Sequence, residues 1–234
     1  VSAHYELLSL ILPVYKQRDH IARMIDEYGV VLEEIGIDHE LILVPNGPDD
    51  GTFGECARLA EARPTVRNEP LDGAGWGRAV QHGLHQSRGD LLCYTNTSRT
   101  TSGTLALVLE CALALPNIAV KANRKVRESR HRRIASMLYN IEARVLFDLS
   151  NFDINGTPKV FPRTFSRLLQ LSRHDDLIDL EFCVICRQEK YLLLEVPLFS
   201  ETRHGGRSTT NVKSALKMYS GAWRMRKHWT PRAK

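Results

Sequence analysis

Apolar residues fill Leu7 to Val14 without a break, and the run closes at Pro13 and Tyr15, as expected of a parallel strand buried on both faces. Asp19 then reads as the N-cap of a helix whose apolar positions, Ile21, Met24, Ile25, Tyr28, Val31, Leu32 and Ile35, recur at three and four until Gly36 stops it. The unit repeats. "ELILV" forms a second strand ending at Val44, the loop "PNGPDDGT" follows, and a helix runs from about Thr52 to Arg63. A short "TVRN" strand, the glycine loop "LDGAGWG", a helix to Ser87 and the strand "DLLCY" complete the alternation.

Strands alternating with helices across short connections predict an α/β fold with an open, mostly parallel sheet covered on both faces. Ligands of such sheets gather at the carboxyl ends of the strands, so Tyr15, Asn46 to Asp50, Gly73 to Gly77 and Asn96 to Thr100 are expected around one rim. After "NIAVKANR" the pattern loosens into a helix near Ile134 to Phe147, an extended "TPKVFPR", and a helix through "DLIDLEFCVICRQ". The strand "YLLLEVPLF", the loop "SETRHGGRSTT" and a final amphipathic helix close the chain. Without an internal repeat or a linker, the 234 residues read as one domain: a donor half over 1–123, an acceptor half over 124–210 that covers its mouth, and a C-terminal helix with a basic tail over 211–234.

Composition adds little to this picture. At 43% hydrophobic, 7% aromatic and 25% charged residues the chain has the make-up of an ordinary globular protein, and no apolar run approaches the roughly 20 residues of a spanning helix. The N-terminal apolar run lacks a basic leader and a cleavage site and reads as a strand, not a signal peptide. Five cysteines at scattered spacing give no disulfide framework, which points to a reducing cytoplasm. Cys183 and Cys186 form a CxxC inside an apolar helical pattern and read as core residues. The net charge of +5 is modest but concentrated in "RKVRESRHRR" and in the tail "WRMRKHWTPRAK". Such a run fits a solvated face or an anionic ligand or membrane surface, and few aromatics accompany it, which argues against a nucleic-acid partner.

Gly73, Gly75 and Gly77 precede a helix, yet the strand before them is weak and no acid follows at the required place, so the dinucleotide fingerprint is not met. His82 and His85 share a helix without a third ligand and read as packing or surface residues. The stronger signal is a constellation. In order, "LPVYKQRDHI", "ELILVPNGPDDGT", "GAGWGRAVQHGLHQSRGDLLCYTNTS", "DINGTPKVFPR", "IDLEF" and "EVPLFSETRHGGRST" resemble the successive blocks of family 2 glycosyltransferases. The nearest branch is the dolichol-phosphate mannose synthase and polyprenyl-phosphate glycosyltransferase group, and the resemblance spans roughly residues 7 to 210.

That resemblance implies a GT-A fold with a nucleotide-sugar lying over the strand ends. Pro13 and Tyr15 fall in the family's "PxYN" segment near base and ribose, and Gly47, Asp50, Gly51 and Thr52 match its "DDGSxDGT" loop. Gly75 and Arg78 belong to the glycine loop, Thr97 and Arg99 to the loop after the metal strand, and Arg124 matches an arginine ending the next strand. Lys159, Val160, Phe161 and Arg163 match a segment like "GFKLFRR", with Asp153 at the acidic position before it. Asp179 and Glu181 match a "DxE" near the acceptor, and Arg203, Gly206, Arg207 and Ser208 fall in the loop that closes over the diphosphate.

The departures are concentrated at the metal. Pro45 and Asn46 replace the two acids that open the nucleotide loop, and Asn96 and Ser98 replace the pair that holds Mg²⁺ or Mn²⁺, the family norm. Hard divalent cations need charged oxygen ligands, so the sequence predicts weak or no metal dependence. Three readings follow: cations such as Arg78, Arg99, Lys121, Arg124, Arg203 and Arg207 replace the metal; the donor is unusual; or the chain is a non-catalytic relative that binds a sugar nucleotide or a partner enzyme. The first implies an inverting transferase moving a sugar from a nucleotide donor to a polyprenyl phosphate or a small molecule, cytoplasmic with peripheral membrane contact. Asp179 is then the expected base for a hydroxyl acceptor, Glu181 the second candidate, and Asp153 an orienting group.

Overall fold

A computed structural model describes residues 5–125, 130–199 and 212–229. Its centre is a seven-stranded sheet formed by β1 (Leu7–Val14), β2 (Asp38–Pro45), β3 (Val66–Asn68), β4 (Leu91–Tyr94), β5 (Ala119–Arg124), β6 (Lys159–Pro162) and β7 (Leu193–Leu198). The spatial order is β3-β2-β1-β4-β6-β5-β7. All neighbours run parallel except β6, which lies antiparallel between β4 and β5. The extended "TPKVFPR" segment is therefore inserted into the middle of the sheet, a placement the alternation of strands and helices does not announce.

Alternating side chains send β1 into two cores. Leu8, Leu10, Leu12 and Val14 pack on one face with residues of α1 (Arg18–Ile35), α2 (Thr52–Ala62) and α4 (Ser102–Ala114). Ile11 packs on the other with α3 (Trp76–Gln86), α5 (Arg130–Phe147), α6 (Ile178–Gln188) and α7 (Val212–His228). This period of two across a sheet buried on both sides is why the β1 run contains almost no polar residue. Its one polar member, Ser9, is buried and donates to Glu40 on β2 at 2.6 Å.

α1 ends as the sequence predicts, with Gly36 in the left-handed conformation at φ 72° and its N–H on the carbonyls of Leu32 and Glu33. Its start differs. Gln17, not Asp19, occupies the cap position, and no side chain caps the helix. Asp19 lies inside the first turn, where its charge meets the positive end of the helix dipole. The Gln17 side chain is engaged instead at the carboxyl rim of the sheet, described next.

Candidate functional site

The carboxyl ends of β1, β2 and β4 meet in one rim, where four loops are tied together by neutral groups. Asn46 is 4% exposed, and its amide donates to the carbonyls of Val14 and Val44, both at 3.1 Å. Its Oδ1 accepts from the Gly75 N–H at 3.4 Å. An amide can donate to two carbonyls and accept from an N–H at once, whereas a carboxylate has no proton to give. Asn46 therefore joins the ends of two strands to the glycine loop.

Gly47 follows at φ 88°, and a Cβ there would fall 2.5 Å from the Tyr15 ring. Only glycine suits both the left-handed backbone and that close approach. Pro13 is buried in β1, while Tyr15 is half-buried at the rim. Asp50 accepts from the hydroxyl and N–H of Thr52, at 2.5 and 3.2 Å. The Thr52 hydroxyl in turn accepts from the Gln17 N–H at 3.2 Å.

The loop after β4 is closed on itself. Oδ1 of Asn96 accepts both the N–H and the hydroxyl of Ser98, at 3.0 and 2.6 Å. Thr97 is fully buried and donates to the Gln17 side chain at 2.6 Å. The hydroxyls of Thr95 and Thr100 bond each other at 2.7 Å. The side-chain oxygens at positions 96 and 98 are thus one amide oxygen already bonded twice and one hydroxyl that donates to it. Such a donor set does not fit Mg²⁺ or Mn²⁺, which take anionic oxygens. Among the described residues no group of three or more His, Cys, Asp or Glu is placed to hold a metal.

Cations surround this neutral frame. Arg78 is exposed, and its guanidinium lies 2.9 Å from where a Cβ of Gly73 would stand. Arg18 lies equally close over Gly51, and Arg99 is half-buried just beyond the Asn96–Ser98 turn. Arg18 and Gln17 were missed from the sequence. The signal was their place in the loop directly after β1. Arg203 and Arg207 lie outside the described residues.

The second half holds its charges in buried pairs. Lys159, fully buried, sits 2.5 Å from Oδ1 of Asp179 and over the rings of Tyr94 and Phe182. Burial pushes its ammonium below the ordinary lysine value, with the Asp179 charge opposing. Asp179 also accepts from the Tyr94 hydroxyl and the Trp76 indole, both at 3.1 Å. Through Trp76 the pair reaches the glycine loop. Lys121 is fully buried 2.6 Å from Glu195, and Arg124 grips Asp153 with its Nε at 2.7 Å and a second nitrogen at 3.0 Å. Lys121 and Arg124 were named as cations that could take the metal's place, and Lys159 as a match to a family segment. Each is committed to a carboxylate, because an unpaired buried charge costs several kcal/mol.

Glu181 is engaged within the protein as well. Its carboxylate accepts from the N–H and hydroxyl of Ser172 and the N–H of Arg173, at 2.9, 2.6 and 2.8 Å. That fixes a loop whose carbonyls crowd α3, since a Cβ on Gly77 would meet the Arg173 carbonyl at 2.3 Å and one on Gly75 the His174 carbonyl at 3.1 Å. The third glycine of the loop therefore serves helix packing. Asp153, named as an orienting group, is held by Arg124. Cys183 and Cys186 are buried core residues of α6, and burial pushes the Cys183 thiol up to about 11.

No protein-family model matches the chain. It is 22% identical over 94% of its length to a dolichyl-phosphate beta-glucosyltransferase of Trichomonas vaginalis, covering 76% of that protein. Among solved structures it is similar to glucosyl-3-phosphoglycerate synthase from Mycobacterium tuberculosis in complex with Mn²⁺, UDP and phosphoglyceric acid, with a TM-score of 0.71 at 17% identity, over 97% of this chain and 80% of that one. The same enzyme with Mg²⁺ and UDP superposes with a TM-score of 0.71 at 17% identity, over 94% and 79%. The fold is the GT-A fold of these glycosyltransferases, and the resemblance to family 2 extends along nearly the whole chain.

Proposed function

We propose that the protein is an inverting hexosyltransferase that moves a sugar from a nucleoside-diphosphate donor, a UDP-sugar by likeness to its relatives, to a phosphate-bearing acceptor. The observation that carries this reading is the rim itself: a GT-A sheet whose metal position is a closed neutral turn, bordered by Arg18, Arg78 and Arg99. The acceptor oxygen attacks the anomeric carbon opposite the leaving diphosphate; the new C–O bond forms as the bond to the diphosphate oxygen breaks, and the configuration inverts. A phosphate acceptor brings an oxygen that is already anionic and requires no base. If a hydroxyl is the acceptor, Asp179 is the residue placed to take its proton, because Oδ2 carries one bond, from Trp76, where Oδ1 carries two.

Guanidinium groups aimed at the departing diphosphate supply the charge a metal would provide. The test is calorimetry with UDP-sugars, with and without excess EDTA. Donor affinity is expected to change by less than about threefold, while binding at one hundred times the dissociation constant adds about 2.7 kcal/mol of thermal stability. Asn96→Asp combined with Ser98→Asp should create a metal requirement. A strong Mn²⁺ requirement in the unmodified protein would overturn metal independence. Donor binding without turnover on any phosphate acceptor would favour a non-catalytic relative instead.

The phosphate acceptor proposed here is a polyprenyl phosphate presented at a membrane, supported by the likeness to a dolichyl-phosphate enzyme and by the basic run after Asn123. No helix among the described residues is long and apolar enough to cross a membrane, so the chain would meet such an acceptor from the surface.

A further inference from the structure

α5 is apolar on both sides. Tyr139, Ala143 and Phe147 face the core, at 4%, 0% and 9% exposure. On the opposite side Ile134, Met137, Leu138, Ile141 and Val145 recur at three and four, and each is about half exposed or more, Val145 reaching 78%. A surface helix ordinarily turns polar groups to solvent, and a helix apolar all round is covered on both sides. Nothing among the described residues covers this face.

Its borders identify the occupant. A shallow pocket where α5 meets the end of β5 is lined by Lys125, Met137, Ile141, Arg144 and Phe152, among others. Phe152 is 58% exposed, yet its N–H is fixed by both oxygens of Glu195, at 3.1 and 2.9 Å. The Arg144 guanidinium lies 4.8 Å and the Lys125 ammonium 5.3 Å from the Phe152 ring centre. Neither cation pairs with a carboxylate among the described residues. The chain entering α5 is basic in sequence too, with Lys125, Arg127, Arg130, Arg132 and Arg133 against Glu128. α7, packed on α5, adds an exposed Trp223 beside the exposed Arg224, Arg226 and Lys227. Glu142 is the one acid within α5, and it is bonded to Trp223. Asp148, just beyond, pairs with Arg187.

We infer that the solvent face of α5 docks onto an anionic lipid surface, the apolar row entering the headgroup boundary and Lys125 and Arg144 meeting lipid phosphates. An apolar stripe framed by cations and exposed aromatic rings is the pattern of a helix lying in the interface. A second copy is a poorer occupant, because a two-fold interface over this face would bring the cations of both copies together without acids to meet them. The inference rests on the lipid-phosphate form of the acceptor and places that acceptor beside the carboxyl end of β5.

The test is flotation of the full chain with vesicles of phosphatidylcholine alone and of phosphatidylcholine with phosphatidylglycerol. Binding is expected only to the mixed vesicles, and it should weaken as salt screens the charges. Ile141→Ser with Val145→Ser should lower it by about tenfold or more. Lys125→Ala with Arg144→Ala should lower it about fivefold for each charge removed. All four side chains are at least partly exposed, and thermal melts check that the variants keep the fold. Absence of binding to mixed vesicles, or binding indifferent to both double variants, overturns the inference. So does a dimer in solution that the serine variant dissociates while vesicles stay unbound. Transfer to a short-chain isoprenyl phosphate without vesicles is the separate arm: success there alongside failed flotation removes the docking face and leaves the transferase reading standing.

Discussion

The rim and the second half of the molecule treat charge in opposite ways. At the donor rim, four loops are joined by amides and hydroxyls: Asn46 to the Val14 and Val44 carbonyls, Thr97 to Gln17, Asn96 to Ser98, Thr95 to Thr100. In the second half, three buried or nearly buried ion pairs, Lys159–Asp179, Lys121–Glu195 and Arg124–Asp153, fix β5, β6 and their neighbours. The difference teaches where fixed charge is tolerated. The Asp50 carboxylate at the rim is held by the hydroxyl and N–H of Thr52, whereas each charge in these second-half pairs has its own counterion. The rim loops are therefore held by the protein's own groups, with Arg18 and Arg78 exposed beside them.

The largest effect should come from breaking a pair in the second half. Asp179→Ala leaves Lys159 charged, fully buried and unpaired, and should cost about 3–5 kcal/mol in denaturant unfolding. Replacing both members, Asp179→Leu with Lys159→Met, should recover most of that loss. An equal loss in the single and double variants would show that the pair's worth lies in the Tyr94 and Trp76 bonds instead.

At the rim, removal of one arginine should act on ligand binding and not on folding. Arg78→Ala and Arg99→Ala should each weaken UDP-sugar binding by about 1.5–3 kcal/mol, the range for a hydrogen bond to a charged group. Calorimetry checks it, and a matching fall in melting temperature without donor would assign these residues to the scaffold.

The neutrality of the rim frame is tested by Asn46→Asp. The new carboxylate would face the Val14 and Val44 carbonyls with no proton to donate, costing about 1–3 kcal/mol at neutral pH. The loss should shrink as pH falls and the acid regains a proton. A pH-independent loss would mean that shape, not donation, selects the amide.

The smallest effect lies at the opposite end of the sheet. Burial works to raise the Glu40 carboxyl, but bonds from Ser9, Arg67 and the Arg88 N–H outweigh it and hold the group below its ordinary value of 4.5. A depressed carboxyl contributes stability above its unfolded value and loses it as pH falls through the folded one. Glu40→Gln should therefore cost roughly 1 kcal/mol at pH 7 and nearly nothing below that window, as read by melts across acid pH.

Much of this architecture was legible in the residue pattern. The apolar run of β1, the three-and-four spacing of α1 with its Gly36 stop, and the glycine and proline punctuation place most elements, because local periodicity reports directly on which face is buried. α4 was not singled out, since its residues are mostly apolar, with Ser102, Thr104 and Glu110 too few to mark a period. The alternation put Tyr15, Asn46 to Asp50 and Asn96 to Thr100 beyond the carboxyl ends of β1, β2 and β4, where the structure has them, and the GT-A fold implied by the resemblance is the fold of known glycosyltransferases.

What the chain alone determined, then, is which segments become strands and helices, and that no pair of acids stands at positions 96 and 98. Tertiary structure decided the partners. Sequence could not show that β6 enters antiparallel between β4 and β5, because a lone extended segment carries no record of the neighbour it will pair with. Nor could it tell Lys121, Arg124 and Lys159, each held by a carboxylate 20 to 74 positions away, from Arg78, which remains exposed at the rim. A cation looks the same in sequence whether it will meet a ligand or a buried acid; only the fold, by setting burial and the distance to a counterion, separates the two.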